Sequence, residues 1–486
     1  MATVLEISPE TKKAKIQWDK LDVPIEHLGR AITLPSEPGK MPLEKAVEAL
    51  NRKIADENQL VRVHEIIDAF PLDALVAFVK AMTKLYGWAS PVATPSFFGP
   101  VPPQMLSVKT GFRDEEVVQC PHGAFRLPGV DEVISTSFTG HPKGQGHVLV
   151  IHTAVKKRDK HLVLELANET RAIVKAQSIY RGKAIRLGVD DGGNLDFHNP
   201  PEFMDVTEMA EDNLIFNENI THQIDTNILV PMRHTARCRS LRIPLRRGVL
   251  LEGPYGTGKS LLARLAARIA EQNGWTFVLL DRVQGLKAAL EFANRYAPSV
   301  VFAEDIDRIA SERDNATNDL INTIDGVVSK TSEIMTILTT NFADKLNPVI
   351  LRPGRLDAVI SLKAPDQDTV KKLIRYYSGG LLEENAPLDR SAKELEDQIP
   401  ASIRECVERA KLGMIGRGAH HLVDLDVTIA AQTMKNHLAL LNKKVEEETD
   451  AELLAKSLKN VVGTGNGTGQ KIDRIHDMVE QVRDNM

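Results

Sequence analysis

Lys259 and Ser260 close the run Gly253-Pro254-Tyr255-Gly256-Thr257-Gly258-Lys259-Ser260, which fits the pattern G-x-x-x-x-G-K-S. The chemistry of such a run is phosphate binding. Its glycines let the backbone curl until N–H groups point inward at phosphate oxygens. A lysine at this position reaches β- and γ-phosphates, and the serine hydroxyl ligates Mg²⁺. Farther along, Pro298-Ser299-Val300-Val301-Phe302-Ala303-Glu304-Asp305-Ile306-Asp307 is an apolar run that ends in acids. A buried strand ending in this way aims carboxylates at a metal ion and at an attacking water. Ser260 and Glu304 are the candidate metal contacts.

Those side chains need particular elements behind them. Arg247-Gly248-Val249-Leu250-Leu251-Glu252 predicts a short buried strand before the loop. The stretch from Ser260 through Leu261 to Ala270 predicts a helix whose N-terminus faces the phosphates. Leu320 to Val327 predicts a helix ending at Gly326. Met335 to Asn341 predicts a strand that delivers Asn341 at its C-terminal end, where ligands sit in such sheets.

The rest of the chain is read more coarsely. Its 486 residues suggest roughly three domains, and a 42% apolar, 26% charged composition supports sizeable cores. A net charge of −5 gives no global basic field for nucleic acid. Cys120, Cys238 and Cys406 are far apart, which suits a reducing, cytoplasmic setting. No apolar run approaches the ~20 residues needed to span a membrane, and the first residues do not read as a signal peptide. Residues 1–90 are expected to be helical: Pro42 opens a helix with Leu43, Val47, Leu50 and Ile54 on one face. Further helical stretches are expected at Leu60–Phe70 and Leu72–Tyr86. Residues 91–104 form a Pro-rich linker. Residues 105–206 read as β-rich, with strand candidates at Val148–Ile151, Leu162–Leu166 and Ala184–Leu187. Residues 446–486 hold an acidic stretch, a Gly-rich linker and an amphipathic helix (Ile472, Ile475, Val479, Val482). That helix suits either a docked partner or its own core. Cys120-Pro121-His122 has no second metal-binding pair nearby and reads as structural.

Five ordered elements make residues 207–445 resemble the AAA family of ATPases. They are the phosphate loop, the acidic strand, Ile324-Asp325-Gly326, the Asn341 strand and Leu351-Arg352-Pro353-Gly354-Arg355. The resemblance implies an α/β fold: a P-loop AAA module with a parallel sheet flanked by helices (207–365) and a small helical lid (366–445). It implies ATP and Mg²⁺, with the loop, Leu261, Ile224 and Asp225 against the nucleotide and Asn341 orienting the attacking water. Arg352 and Arg355 look like arginine fingers that reach a neighbouring subunit's site. Fingers acting in trans imply a homo-oligomer, most simply a hexamer.

This chain departs from the family in two ways. Most members read Asp-Glu at the end of the acidic strand, whereas this chain reads Glu304-Asp305, an order shared with a mitochondrial membrane branch. Either Asp305 or Glu304 is then the general base. Where ring unfoldases carry an aromatic gripping loop, the chain reads Leu280-Asp281-Arg282-Val283-Gln284-Gly285-Leu286-Lys287, without an aromatic. Val283 and Leu286 are its candidate substrate contacts. The basic cluster Arg233, His234, Arg237, Arg239, Arg242, Arg246 and Arg247 reads as interface or solvated surface. The expectation is a ring ATPase that remodels a protein client or adaptor recruited through the N-terminal domains. A nucleic-acid motor or loader and a slow ATP-binding scaffold are the alternatives.

Overall fold

A computed structural model describes residues 43–88, 90–96, 99–142, 146–190, 192–195, 199–210, 213–306, 332–342, 356–382 and 385–435. Ile324-Asp325-Gly326, Arg352, Arg355 and the expected tail elements lie outside the described residues. The chain divides into two compact units, and the division is not linear. Residues 1–205, 274–278 and 284–299 make the first; residues 206–273, 279–283 and 300–486 make the second.

In the first unit, α1 (Leu43–Glu57) is followed by β1 (Leu60–Ile67) and α2 (Pro71–Tyr86). Leu60–Phe70 was expected to be helical. Instead β1 pairs antiparallel with β5 (His147–Lys156) along its whole length, from Leu60↔Lys156 to Ile67↔Leu149. The deciding pattern is alternation: Val63 and Ile67 are buried, while Arg62 and His64 are not. Pro71 then starts α2, and Gly87 ends it in a left-handed conformation at φ 81°. Strands β2 (Pro91–Val92), β3 (Ala124–Arg126) and β4 (Val133–Gly140) complete an antiparallel sheet of order β1-β5-β4-β3-β2.

Leu162–Leu166 was expected to be a strand, but lies inside α3 (Lys160–Gln177). Its apolar run is one turn of a longer 3.6-residue pattern that buries Val163, Leu166, Ala167, Thr170 and Ile173. Phe78 and Met82 of α2, Leu166 of α3, Ile134 of β4 and Leu149 and Ile151 of β5 share one core. The elements on either side of residues 91–104 therefore fold together, where a helical region and a separate β-rich domain were expected. Strands β6 (Ala184–Leu187) and β7 (Glu202–Phe203) pair antiparallel.

The second unit opens with α4 (Glu218–Ile224), capped by the Asn217 side chain. Five consecutive strands of a seven-stranded sheet carry its residues: β9 (Thr276–Leu280, of which 279–280 belong here), β10 (Ser299–Ala303, from residue 300), β11 (Ile334–Thr340), β8 (Arg247–Glu252) and β12 (Ala358–Ser361), in that order. Strand β8 runs parallel to both β11 and β12. All residues of β10 and β11 are buried, as expected of a parallel strand covered on both faces. Helix α5 (Lys259–Gln272) follows β8, and α6 (Leu286–Arg295), which belongs to the first unit, follows β9. A helical lid comprises α7 (Gln367–Ser378), α8 (Asp389–Glu394), α9 (Pro400–Gly416) and a helix at 424–435. Leu373, Ile403, Val407 and Val427 lie in its own core. No helix among the described residues is long and apolar enough to cross a membrane.

Candidate nucleotide site

Strand β8 stops at Gly253, where the chain must turn sharply into α5. Gly253 has φ 151°, and a Cβ there would lie 2.5 Å from the Leu362 carbonyl oxygen. Gly256 has φ 81°, and its Cβ would lie 2.7 Å from Ala401 Cβ in the lid. Neither position accepts a side chain without backbone movement. Thr257 closes the turn by donating from Oγ1 to the Pro254 carbonyl at 2.9 Å. Helix α5 then begins at Lys259, with its first N–H groups and positive dipole end at the loop.

The candidate side chains form two hydrogen-bonded groups. Lys259 is 8% exposed. Its Nζ donates to the carbonyls of Gly253 (2.6 Å) and Pro254 (3.0 Å) and to Asn341 Oδ1 (2.8 Å). Asn341 Nδ2 in turn donates to Asp305 Oδ1 at 2.8 Å. Ser260 Oγ donates to Glu304 Oε1 at 2.6 Å. The two acids at the end of β10 thus have different partners: Glu304 meets the loop serine, and Asp305 meets the amide at the end of β11. Asp305 adopts φ 53°, a left-handed conformation that costs a non-glycine residue roughly 1–2 kcal/mol. Its backbone N–H is held there by Thr339 Oγ1 at 3.0 Å, and the next N–H, of Ile306, reaches the Thr339 carbonyl at 2.9 Å.

These groups line a cavity of about 340 Å³, large enough for a nucleotide. Tyr255 through Leu261, Glu304, Asp305 and Asn341 all face it. Ile224 and Asp225 do not. Ile224 is buried at the end of α4, and Asp225 opens a π-helical turn and pairs with Arg233 at 3.4 Å. Their place against the cavity is taken by residues 213–216, with Leu373 and Tyr377 of α7 and Pro400, Ala401 and Arg404 of α9 on the lid side. Leu373 and Tyr377 lie one helical turn apart on the same face, the one signal that could have grouped them. The lid touches the loop directly, because Ala401 N–H donates to the Gly256 carbonyl at 3.2 Å. Burial pushes the Tyr377 phenol above its ordinary pKa. A hydroxyl and a carboxylate within hydrogen-bonding reach, at the mouth of a loop lined by N–H groups, suit a hard divalent cation beside phosphate.

Two other expected contacts change. Val283 and Leu286 are buried at 6% and 3% exposure, so neither side chain is offered to a client. In the first unit the neighbouring glycine is pressed against a loop. A Cβ on Gly285 would lie 2.4 Å from Val189 Cγ1, and one on Gly193 would lie 2.5 Å from the Gln284 carbonyl oxygen. The basic cluster is partly consumed by ion pairs, with Arg239 Nε donating to Glu333 at 2.7 Å. His122 stacks on Phe138 at 4.3 Å and meets Thr136 Oγ1 through Nδ1 at 3.1 Å.

Residues 249–364 match the sequence model of the family described as ATPase family associated with various cellular activities (AAA). Over 235 residues the chain is 28% identical to the 26S proteasome regulatory subunit 8 homolog of Schizosaccharomyces pombe, a match covering 44% of this chain and 58% of that protein. The chain thus spans little more than half the length of that relative. The phosphate loop between β8 and α5, the parallel sheet and the sequence match agree: this chain carries an AAA ATPase domain of the P-loop α/β fold.

Proposed function

We propose that the chain is a Mg²⁺-dependent ATPase that forms a homo-oligomeric ring, most simply a hexamer, and spends ATP on remodelling a protein client. The observation that carries this reading is the convergence of Lys259, Ser260, Glu304, Asp305 and Asn341 on one cavity that the helical lid also lines. The loop N–H groups and the Lys259 ammonium cradle the β- and γ-phosphates. Ser260 and Glu304 would hold Mg²⁺, which supplies positive charge against the phosphate oxygens. Asp305 accepts the proton of the attacking water, and Asn341, already hydrogen-bonded to Asp305, orients that water. The separate partners of the two acids support this assignment: Glu304 is engaged by Ser260 and Asp305 is not. Arg352 and Arg355 act as fingers across the subunit boundary, where a guanidinium offsets charge on the γ-phosphate. The relative's name, a regulatory subunit of the 26S proteasome, supports work on proteins within an assembly.

ATP turnover and nucleotide affinity, measured together, test the reading. Lys259→Ala should weaken nucleotide binding roughly 10²-fold. Asp305→Asn should keep binding and lower turnover by about 10²–10⁴-fold. If Glu304→Gln gives that pattern and Asp305→Asn does not, the base is Glu304. A wild-type chain that binds ATP without turnover is a nucleotide-binding scaffold.

A further inference from the structure

We propose that Thr339 is a positioning residue for hydrolysis: its hydroxyl and carbonyl oxygens hold the backbone of Asp305 where that carboxylate can meet the attacking water. This rests on the role given above to Asp305 as base. Thr339 and Asp305 belong to the same compact unit and touch directly. Thr339 lies in β11, is 1% exposed and lines the nucleotide cavity together with Asp305 and Asn341. Its Oγ1 accepts from the Asp305 N–H at 3.0 Å, and its carbonyl oxygen accepts from the Ile306 N–H at 2.9 Å. One residue thus receives two successive N–H groups just where the chain has left β10.

The backbone at that point needs support. Asp305 sits at φ 53°, in the left-handed region, where the Cβ of any residue but glycine is crowded by its own backbone. Such a conformation persists only where its surroundings over-determine it. Two N–H groups bound to one strand supply that constraint. Every residue of β11 is buried, and Thr339 stands in register with Leu251 of β8, so both acceptor oxygens belong to a paired strand of the sheet. The branched Cβ of threonine restricts χ1, which fixes the direction of Oγ1.

Asn341 completes the mount. It stands two positions after Thr339, and its Nδ2 donates to Asp305 Oδ1 at 2.8 Å. Asp305 is therefore gripped at both ends, at its main-chain N–H by Thr339 and at its carboxylate by Asn341. The double grip matters because aspartate is one methylene shorter than glutamate. A short side chain cannot make up for a displaced backbone by extending, so the place of the carboxylate is set by the main chain. Groups that act on a water tolerate only about half an ångström of error. Glu304, one residue earlier, has a separate partner in Ser260 Oγ at 2.6 Å. Loss of the Thr339 hydroxyl should therefore fall on proton transfer and spare nucleotide binding.

The test is Thr339→Val in the full chain, which keeps the branched shape and removes the hydroxyl. The expected result is a fall in kcat of about tenfold, with KM for ATP and the Kd of a fluorescent ATP analogue within about twofold of wild type. Thr339→Ser keeps the hydroxyl and should hold kcat within about threefold of wild type. Amide exchange at Asp305 should quicken in Thr339→Val and not in Thr339→Ser. Added to Asp305→Asn, Thr339→Val should lower kcat no further, because the residue it positions no longer takes the proton. An unchanged kcat in Thr339→Val, equally low kcat in the Val and Ser variants, or a further tenfold fall in the double variant each overturns the proposal. The base assignment fails separately, if Asp305→Asn turns over ATP at the wild-type rate; Thr339 then has no base to position. With Asp305→Asn inactive and Thr339→Val unchanged, the base stands and the positioning role falls. A wild type that binds ATP without turnover ends both. If Thr339→Val does not fold, Thr339→Ala takes its place against Thr339→Ser, with the same expected and overturning results.

Discussion

Asn341 is shared between a cation and an anion: its oxygen accepts from Lys259 and its nitrogen donates to Asp305. One neutral amide therefore sets the distance between the phosphate-binding group and the proposed base. Asn341→Ala removes both links and leaves the loop intact. Turnover should drop about 10²-fold, as for a lost oriented donor, while ATP affinity changes only severalfold. Equal losses in kcat and affinity would mean that Asn341 acts mainly on binding. Gly256 makes a second residue-scale prediction. Gly256→Val puts a branched side chain at φ 81° against Ala401. It should weaken nucleotide binding by preventing the lid from resting on the loop, and unchanged affinity would count against that contact. The loop was legible because its fixed positions each have a chemical requirement, a positive φ at the glycines or an ammonium on a long stem at Lys259. Residues 213–216 were not legible, because an apolar wall has no pattern of its own and is recognised only by what it faces.

Elements carry their own tests. Helix α7 is capped by Asp366, whose carboxylate accepts from the Thr369 N–H at 2.8 Å and is held below its ordinary pKa by hydrogen bonding to Thr369. Asp366→Ala should cost about 1 kcal/mol, read as a lower urea midpoint. The sign for pH follows: this share of stability is present above pH 3.8 and is lost as pH falls through the folded-state pKa. In the first unit, burial depresses the pKa of His122, and burial and then the charge of His64 depress that of His152. Both favour the neutral ring, so their stabilisation is complete above pH 6.5 and declines as pH drops toward their folded-state values. Thermal unfolding at pH 7.5 and 5.5 should show this loss, and His122→Gln should reduce it. Element type was readable where a pattern ran long, as in α5. It was misread at Leu60–Phe70 and Leu162–Leu166, because short apolar runs fit a strand and a buried helix equally well. In each case a distant pairing or a longer amphipathic face decided.

At the scale of the whole molecule, the proposed ring predicts that mass in solution rises to six protomers when an ATP analogue is added. It also predicts complementation: Arg355→Ala and Lys259→Ala, each inactive alone, should recover part of the turnover when mixed. No recovery would place Arg355 in its own subunit's site or in assembly alone. The organisation of the chain at this scale was the least legible from sequence. Phe70 and Tyr296 are 226 positions apart, and no local pattern announces that they meet.

The allegiance of residues 274–278 and 284–299 to the first unit has an evolutionary consequence. A domain that simply precedes an ATPase can be exchanged by recombination at the junction, leaving the motor untouched. Here a crossover near residue 206 would separate Phe70, Asp73 and Ser178 from the Tyr296 they surround, and would strand a buried phenol among foreign neighbours. The two units are therefore expected to have been inherited as one piece, diverging together rather than being shuffled separately.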